Sequence, residues 1–223
     1  GAPLLPAFHQ RLFKSTETDR IILNIGGMAN ITLLRKDDNQ IKGFDTGPGN
    51  ILLDSWIQNN LNQNFDSNGD WAASGEFNSE LLEFMLDDPY FSTPPPKSTG
   101  REYFNKKWID KVFNDYAKEI SPQDVQATLC ELTAISIAQE IKKLIEIGEV
   151  IVCGGGARNK HLIKSLTTQL NPFKVSSSNN YDVDSDALEA FAFAWFAKQT
   201  LQKNLIDFTS ITGSSRPHIM GGD

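Results

Sequence analysis

The chain has 223 residues, a length that suits one large domain or two small ones, and its formal net charge is −7. Its 39% hydrophobic and 22% charged residues are ordinary for a soluble globular protein. The acidic balance disfavours a nucleic-acid partner, because such proteins usually present a basic face. No apolar run approaches the roughly 20 residues that span a bilayer. The first ten residues lack a signal-peptide core, so neither a membrane span nor a secretory leader is expected.

The two cysteines bear on the cellular compartment. Cys130 and Cys153 fall in segments that have the patterns of a helix and a buried strand. Two such cysteines suit a reducing cytoplasm better than a disulfide scaffold. Together with three scattered histidines they make no metal-ligand spacing. A cytoplasmic location is therefore expected.

The first quarter of the chain predicts a β-meander followed by a helix. Residues 1–19 are polar after Pro6 and are expected to be irregular. Three apolar runs then follow, with turn residues between them, as in consecutive strands. They read RIILNIGG, ANITLLR and IKGFDTG. The segment ILLDSWIQNNL, after Asn50, has helical spacing.

The middle of the chain predicts helices interrupted by irregular segments. Residues 62–76 are rich in Asn, Asp, Gly and Ser and predict a loop. Asn78 or Ser79 is positioned to cap a short helix. Residues 87–102 are Pro-rich and cannot be helical inside, whereas 104–117 predicts an amphipathic helix.

The last hundred residues alternate between helix and strand. Ser121, followed by a proline, predicts the start of a long helix that is expected to stop at Gly148. A buried strand, EVIVC, leads into three glycines and a helix, and the segment 186–201 predicts the last helix. This order predicts an α/β domain whose mixed sheet is flanked by helices.

Three glycine-rich loops follow predicted strands, and the first contains Gly26, Gly27 and Asn30. Glycines let a backbone approach a ligand closely, and successive N–H groups in such a turn form an anion cradle. Asn30 adds a side-chain donor. The alternative is an ordinary hairpin turn whose glycines serve steric needs, and for this loop taken alone that is the better explanation.

The second loop joins a strand end to a helix. Asp45 ends the strand, and Thr46, Gly47, Gly49 and Asn50 lead into the helix. A helix N-terminus preceded by glycines favours anionic ligands, and an Asp at a strand end can hold Mg²⁺, usually through water. The alternative makes Asn50 a helix cap and Asp45 a turn residue. Both interpretations stay open from the residues alone.

The third loop runs through Gly154, Gly155 and Gly156 to Asn159. Three consecutive glycines are costly in chain entropy, which suggests that the backbone approaches something flat. The pattern is not G-x-G-x-x-G, and no acidic residue follows at the expected spacing, so a dinucleotide fold is disfavoured. No Gly-Lys-Ser/Thr follows a glycine loop, so a Walker loop is absent from the sequence.

The order of the three loops resembles that of known ATPases. LNIGGMANIT resembles the second phosphate loop of the actin, hexokinase and Hsp70 superfamily, and VCGGGARN resembles its adenosine loop. The phrases GAPLLPAFH, GFDTGPGN, PPPKSTGREYFN and DALEAFAFAW, with the first loop, resemble the anhydro-N-acetylmuramic acid kinase family. The resemblance covers nearly the whole chain.

The family resemblance implies a reaction, an actin-like ATPase fold and a set of ligands. Such kinases open the anhydro bridge of 1,6-anhydro-N-acetylmuramic acid with water and phosphorylate O6 from ATP with Mg²⁺. The expected partners are therefore ATP and an anhydro-amino sugar, with neither a membrane nor a nucleic acid. An actin- or Hsp70-like ATPase module, whose nucleotide state controls a protein partner, is the alternative from another class of function.

The resemblance also implies that part of the family's machinery is missing. The family's first phosphate loop is not in this sequence, and the family's aspartate base would lie just before Gly1. The chain is accordingly expected to be a C-terminal portion. Residues 1–19 would end an absent first domain and pack poorly, and 20–223 would form the nucleotide-binding domain. The chain alone is expected to be inactive, and the full-length protein is expected to be a homodimer.

The implied site divides into three groups of residues. The nucleotide and its phosphates are expected at Gly26, Gly27, Asn30, Gly154, Gly155, Gly156 and Asn159, and the metal or substrate side at Asp45, Thr46, Gly47, Gly49, Asn50 and Glu189. Glu189 also fits a capping box with Asp186. His9 and Arg101 are expected sugar contacts, although His9 is equally explained by packing. For Lys97 a solvated surface turn is the favoured interpretation.

Overall fold

Five strands form one mixed sheet in the computed structural model, which describes residues 5–39, 41–185, 187–206 and 219, with Glu189 described by its backbone alone. Neighbouring strands of the three-stranded meander are antiparallel. The last two strands of the chain run parallel to the first strand, which lies at the centre of the sheet. The strand order is β3-β2-β1-β4-β5. The strands are β1 (Arg20–Ile25), β2 (Met28–Leu34), β3 (Ile41–Pro48), β4 (Glu149–Cys153) and β5 (Lys174–Ser177). The predicted meander and mixed sheet are confirmed, and β5 has no counterpart among the sequence predictions.

Helices cover both faces of the sheet. Those in the described part of the chain are α1 (Leu5–Phe13), α2 (Ile51–Leu61), α3 (Asp70–Ala73), α4 (Ser79–Leu86), α5 (Pro89–Ser92), α6 (Lys106–Tyr116), α7 (Pro122–Leu144), α8 (Lys160–Gln169) and α9 (Leu188–Leu201). None of them has the length and hydrophobicity needed to cross a membrane. Helix α7 ends before the predicted Gly148, because Ile145 takes an extended backbone and is buried.

Alternation along β1 divides the core into two layers. Leu23 faces a cluster built mainly by α2, α4, α6, α7 and α8, whereas Ile22 faces a second cluster with α1 and α9. This follows from the two-residue period of a strand, which sends neighbouring side chains to opposite faces. The central strand is therefore buried on both faces, and its carboxyl end fixes the position of the glycine turn that follows.

The segment before β1 does not behave as the sequence predicts. Residues 5–13 form helix α1, in which Phe8 and Phe13 are buried against the sheet and α9. The expectation that residues 1–19 are irregular and pack poorly is therefore wrong for this segment. The apolar positions of the helix find a partner in the second face of the sheet, which offers Ile22 and Leu34. Burying this apolar surface stabilises the helix.

His9 belongs to this packed helix and lies in the core. Only 1% of its surface is exposed, and its Nδ1 lies 3.0 Å from Thr32 Oγ1. Burial lowers the pKa of the imidazole from 6.5 to about 4, because desolvation disfavours the charged form. This environment favours the packing role of His9 over the sugar contact.

The pKa of His9 predicts how stability depends on pH. The unfolded chain takes up a proton near pH 6.5, whereas the folded protein does so only near pH 4. The stabilisation is thus fully present above pH 6.5 and is lost as the pH falls towards 4, by roughly 3 kcal/mol in total. The raised pKa of Asp54, about 6, acts in the opposite sense within this window, so the loss is measured as the difference between wild type and His9→Gln in urea unfolding between pH 4 and 7.5. Wild type should lose more stability than His9→Gln as the pH falls, and equal losses would contradict the assignment.

Candidate functional site

Three loops meet at the ends of β1, β3 and β4, and the first two are joined by backbone hydrogen bonds. The 26–27 turn connects β1 to β2, and the 48–50 loop connects β3 to α2. The Gly49 and Ile51 N–H groups donate to the Gly27 carbonyl at 2.8 and 3.1 Å, and the Asn50 N–H donates to the Gly26 carbonyl at 2.8 Å. Backbone hydrogen bonds from the 48–50 loop and the first residue of α2 therefore hold the 26–27 turn in place.

These bonds change the expected role of the second loop. The first N–H groups of a helix are ready donors for an anion only when they lack protein partners. Here the amides of Gly49, Asn50 and Ile51 all donate to the 26–27 turn. Two of the first four N–H groups of α2, those of Asn50 and Ile51, are thus used inside the protein.

The 154–158 loop, between β4 and α8, closes the site on the other side. A Cβ placed on Gly154, which has φ of 80°, would lie 2.3 Å from Asn24 Oδ1, and one on Gly156 would lie 2.3 Å from Ile25 Cγ2. These two glycines therefore allow the loop to pack closely against β1. Asn50 Nδ2 donates to the Ile25 carbonyl at 3.3 Å, so all three loops converge on the end of β1.

Other glycines in the same loops could carry a Cβ without a clash. A Cβ on Gly26 would approach no atom closer than 3.5 Å, and one on Gly27 or Gly155 none closer than 4.0 Å. The atom nearest to the Gly155 position is Asn50 Nδ2. By contrast, a Cβ on Gly49 would lie 2.4 Å from the Gly26 carbonyl oxygen. The structure thus separates glycines required by packing from glycines that leave a cradle open.

The remaining residues of the second loop make packing contacts and hydrogen bonds inside the protein. Thr46 is fully buried, and its Oγ1 donates to the Ala29 carbonyl at 3.3 Å. A Cβ on Gly47 would lie 3.1 Å from Phe91 Cε1. Asn50 occupies the cap position of α2, but its side chain makes no cap hydrogen bond. Asn50 therefore takes the predicted cap position, but its side-chain amide donates to the Ile25 carbonyl of β1 instead of bonding to the helix.

Asp45 is the carboxylate at the edge of this site. Its Oδ2 accepts hydrogen bonds from Ser98 Oγ at 3.1 Å and from the Thr99 N–H at 3.0 Å. Its Oδ1 has no hydrogen-bond partner among the described residues. Asp45 is half-buried and lines a cleft of about 840 Å³ with Asn30, Pro95 and other residues. One oxygen is held by protein and the other is left for water or a ligand.

A row of polar side chains crosses the sheet beside Asp45. Asn30 pairs with Asp45 on β3 and with Asn24 on β1. Directly paired residues of antiparallel strands place their side chains on the same face, and all three are half-buried. Asn24 was not among the sequence-predicted site residues. Its position two residues before the glycine pair is the signal that points to it.

The two ends of the third loop have different environments. Asn159 caps α8, where its Oδ1 accepts from the Leu162 N–H at 2.9 Å, and it is buried. Its side-chain oxygen is thus committed to the helix. The other part of the loop opens on a polar cavity of about 360 Å³. The residues lining this cavity are Ala157, Arg158, Ser177, Asn179, Asp182, Val183, Asp184 and Ser185.

Sequence reasoning missed a pair of acidic residues behind the loops. Asp66 accepts from the N–H groups of Trp71 and Ala72, both at 2.9 Å, inside the segment predicted to be a plain loop. The pKa of Asp54, on the first turn of α2, is raised to about 6 by burial and by the charge of Asp66. The sequence signal is an Asp just before Ser-Asn-Gly and a short helical run, which is typical of a cap.

The remaining predicted residues divide between the surface and the core. Arg101 is exposed, and its guanidinium has no hydrogen bond to a described acceptor, so its contact with the sugar stays a prediction. The side chain of Glu189 lies outside the described residues, as does Asp186. Lys97 contradicts the predicted solvated turn, because its side chain is 2% exposed and pairs with Glu140 at 3.1 Å. No described group of three or more His, Cys, Asp and Glu residues is arranged to hold a metal.

Comparisons with known proteins identify relatives over the whole length of the chain. The profile of the anhydro-N-acetylmuramic acid kinase family matches residues 1–222. The anhydro-N-acetylmuramic acid kinases of Coxiella burnetii (strain Dugway 5J108-111) and Shewanella frigidimarina are each 48% identical, over 99% and 100% of this chain. The chain spans 59% and 60% of their lengths. These matched lengths do not confirm the predicted placement in the C-terminal portion of the family's members.

A solved structure agrees with the fold. The ligand-bound xylulose kinase from Lactobacillus acidophilus superposes with a TM-score of 0.52 at 13% identity, covering 96% of this chain and 44% of that one. The likeness concerns the fold alone, and it agrees with the predicted α/β fold, in which a mixed sheet is flanked by helices. With the family profile matched almost from end to end, the chain belongs to the anhydro-N-acetylmuramic acid kinase family.

Proposed function

We propose that this chain forms the nucleotide-binding part of an ATP-dependent sugar kinase. The reaction opens 1,6-anhydro-N-acetylmuramic acid with water and phosphorylates O6, giving N-acetylmuramic acid 6-phosphate. One observation carries the proposal: in a chain of this family, three glycine loops converge on one strand end and leave an open cradle at Gly26, Gly27 and Gly155. Residues 20–223 constitute the nucleotide-binding domain in this proposal.

The cradle fits a nucleotide. A Cβ on Gly26 or Gly27 would meet no atom closer than 3.5 Å, and the absence of side chains at both positions lets a phosphate group approach the backbone closely. Gly155 leaves the same room on the third loop, beside the polar cavity at Ala157 and Arg158. We assign the phosphates to the 26–27 turn and the base and ribose to the 154–158 loop.

The residues beside the cradle fit Mg²⁺ and the sugar. Mg²⁺ usually binds through one or two carboxylates together with substrate phosphates, and Asp45 offers one carboxylate oxygen without a described protein partner. When bound, the metal neutralises charge on the phosphates. Asp45 would hold it through water, and Asn24 and Asn30 would donate to the transferred group. The cleft of about 840 Å³ beside Asp45 would take the sugar.

The general base of the reaction is assigned outside this chain. Water has to lose a proton as it attacks the anhydro bridge, and a positioned carboxylate usually takes it. Asp45 is the carboxylate that the described cleft offers, and its Oδ2 is held by Ser98 and Thr99. We propose that the base belongs to a part of the relatives' length that the chain does not span, so that the 223 residues alone do not turn over.

Sugar dependence tests the proposal. We expect ADP release from ATP and Mg²⁺ by the full-length protein only when the anhydro-sugar is present, because phosphoryl transfer depends on a positioned acceptor. A coupled ADP-release assay with and without the sugar measures this. Equal release without sugar would favour the alternative, an ATPase module that controls a protein partner. The 223-residue chain, assayed alongside, should release no sugar-dependent ADP.

A further inference from the structure

A buried ion pair lies behind the loop that holds Asp45. Lys97 Nζ lies 3.1 Å from Glu140 Oε1, and the two side chains are 2% and 3% exposed. The same ammonium group donates to the Tyr90 carbonyl at 3.2 Å and lies 4.7 Å from the centre of the Tyr90 ring. The pair therefore ties the Pro-rich segment, which contains Lys97, to α5 and to α7.

The residues joined by Lys97 also hold the backbone of Asp45. The Asp45 N–H donates to the Lys97 carbonyl at 3.1 Å, and its carbonyl accepts from the Tyr90 hydroxyl at 2.8 Å. Burial, with the nearby charges of Asp45 and Glu140, raises the pKa of Tyr90 above its usual value. The hydroxyl therefore keeps its proton and remains a donor. A closed ring of contacts runs from Asp45 through Lys97 and Tyr90 and back to Asp45.

The free energy needed to bury the two charges of this ion pair indicates that the pair does more than stabilise the fold. Desolvating two charges often costs as much as their attraction returns, and apolar residues of similar volume frequently stabilise a fold equally well. Glu140 Oε1 also accepts from the exposed Lys143 at 2.9 Å, whereas its buried Oε2 has no partner among the described residues. Stability alone therefore does not account for Lys97 and Glu140. What apolar side chains would not supply is a fixed hydrogen-bond geometry at the Lys97 backbone.

We propose that Lys97 and Glu140 are positioning residues that orient the Asp45 carboxylate towards the cleft. The ion pair fixes the backbone next to Ser98 and Thr99, which then occupy Asp45 Oδ2 and leave Oδ1 for the ligand side. This inference rests on the role of Asp45 in the proposed function. Lys97 and Glu140 act through Asp45 and contact no substrate themselves.

The first test reads the loop without turnover. Hydrogen exchange of the Thr99 amide, which donates to Asp45 Oδ2, should be at least about 10-fold faster in Lys97→Met than in the wild-type full-length protein, because this bond depends on the fixed loop. Lys97→Met should also lower the melting temperature, because it leaves the buried charge of Glu140 without Lys97. The double variant K97M/E140L removes both buried charges and should return the melting temperature to the wild-type value. Thr99 exchange should stay fast in the double variant. Wild-type exchange there would overturn the proposal.

The second test separates positioning from folding by kinetics. K97M/E140L should keep kcat about 10-fold or more below wild type, with KM for ATP changed much less. Combined with Asp45→Asn, it should cause little further loss, because both changes act on one group. Fold-losses that multiply, or a kcat that recovers with stability, would overturn the inference. If Asp45→Asn itself leaves kcat unchanged, the proposed role of Asp45 fails instead.

Milder variants keep the test decisive if the charge variants do not fold. Tyr90→Phe and Ser98→Ala each remove one hydrogen bond to Asp45 and leave the buried charges in place. Each should lower kcat several-fold without adding to Asp45→Asn, and unchanged kcat in both would overturn the proposal. The matched control is Arg20→Met, which breaks the ion pair with Glu149 at the opposite end of β1. It should lower stability and leave kcat unchanged.

Discussion

Asp45→Asn is expected to lower kcat of the full-length protein by about 100-fold while leaving its melting temperature nearly unchanged. The reason lies in the two oxygens of the side chain. An asparagine can keep its oxygen where Oδ2 accepts from Ser98 and Thr99. Its amide group then stands at the Oδ1 position, so an anionic acceptor facing the cleft becomes a neutral donor. The hydrogen bonds to Ser98 and Thr99 are therefore kept, whereas the negative charge of Asp45 is lost from the cleft.

Steady-state kinetics and thermal unfolding of the same preparation measure both quantities. Asp45→Ala is the matched comparison, because it also removes the acceptor for Ser98 and Thr99. We expect it to lose stability as well as kcat. An Asp45→Asn protein that melts early, with normal turnover in its folded fraction, would assign Asp45 to the turn alone.

Local sequence patterns predict the parts of this fold that are determined by nearby residues. The apolar runs that end in glycine predict β1 and β4, because a buried strand followed by a tight turn leaves this pattern. The predicted caps were Ser121 and either Asn78 or Ser79. The side chains of Asn78 and Ser121 accept from the N–H groups of Leu81 and Asp124. Each of these contacts spans only three residues.

Contacts between distant residues explain what the sequence did not predict. Lys97 is buried because Glu140, 43 positions later, lies on the facing helix. Helix α1 packs because the second face of the sheet offers it an apolar surface. Strand β5 has only four residues, and its edge position leaves none of them fully buried, so it has no apolar signature.

The site shows the same division. The sequence predicts that three glycine loops matter, because glycine marks positions where the backbone needs room. It does not distinguish Gly156, which packs against Ile25, from Gly155, which faces open space. It also does not show that the amides of the 48–50 loop are already used by the 26–27 turn. Both distinctions depend on how β1, β3 and β4 are arranged in the sheet.

The difference between these two glycines predicts opposite results for two substitutions. Gly155 is exposed, and a Cβ added there would have no atom closer than 4.0 Å. The fold of Gly155→Val should therefore stay intact. At Gly156 the same addition would place a Cβ 2.3 Å from Ile25 Cγ2, so even Gly156→Ala should lose about 1–3 kcal/mol of stability.

Gly155→Val is expected to weaken ATP binding to the full-length protein by about 100-fold, or roughly 2.7 kcal/mol. The valine side chain would fill the space through which the nucleotide approaches the third loop. Gly155→Ala should cause a smaller loss, because it adds one carbon to the same space, so affinity should fall with side-chain size while the melting temperature stays constant. Calorimetric titration with ATP and thermal unfolding of both variants measure the two trends. Wild-type affinity in a folded Gly155→Val protein would remove this loop from the nucleotide site and move the base and ribose elsewhere.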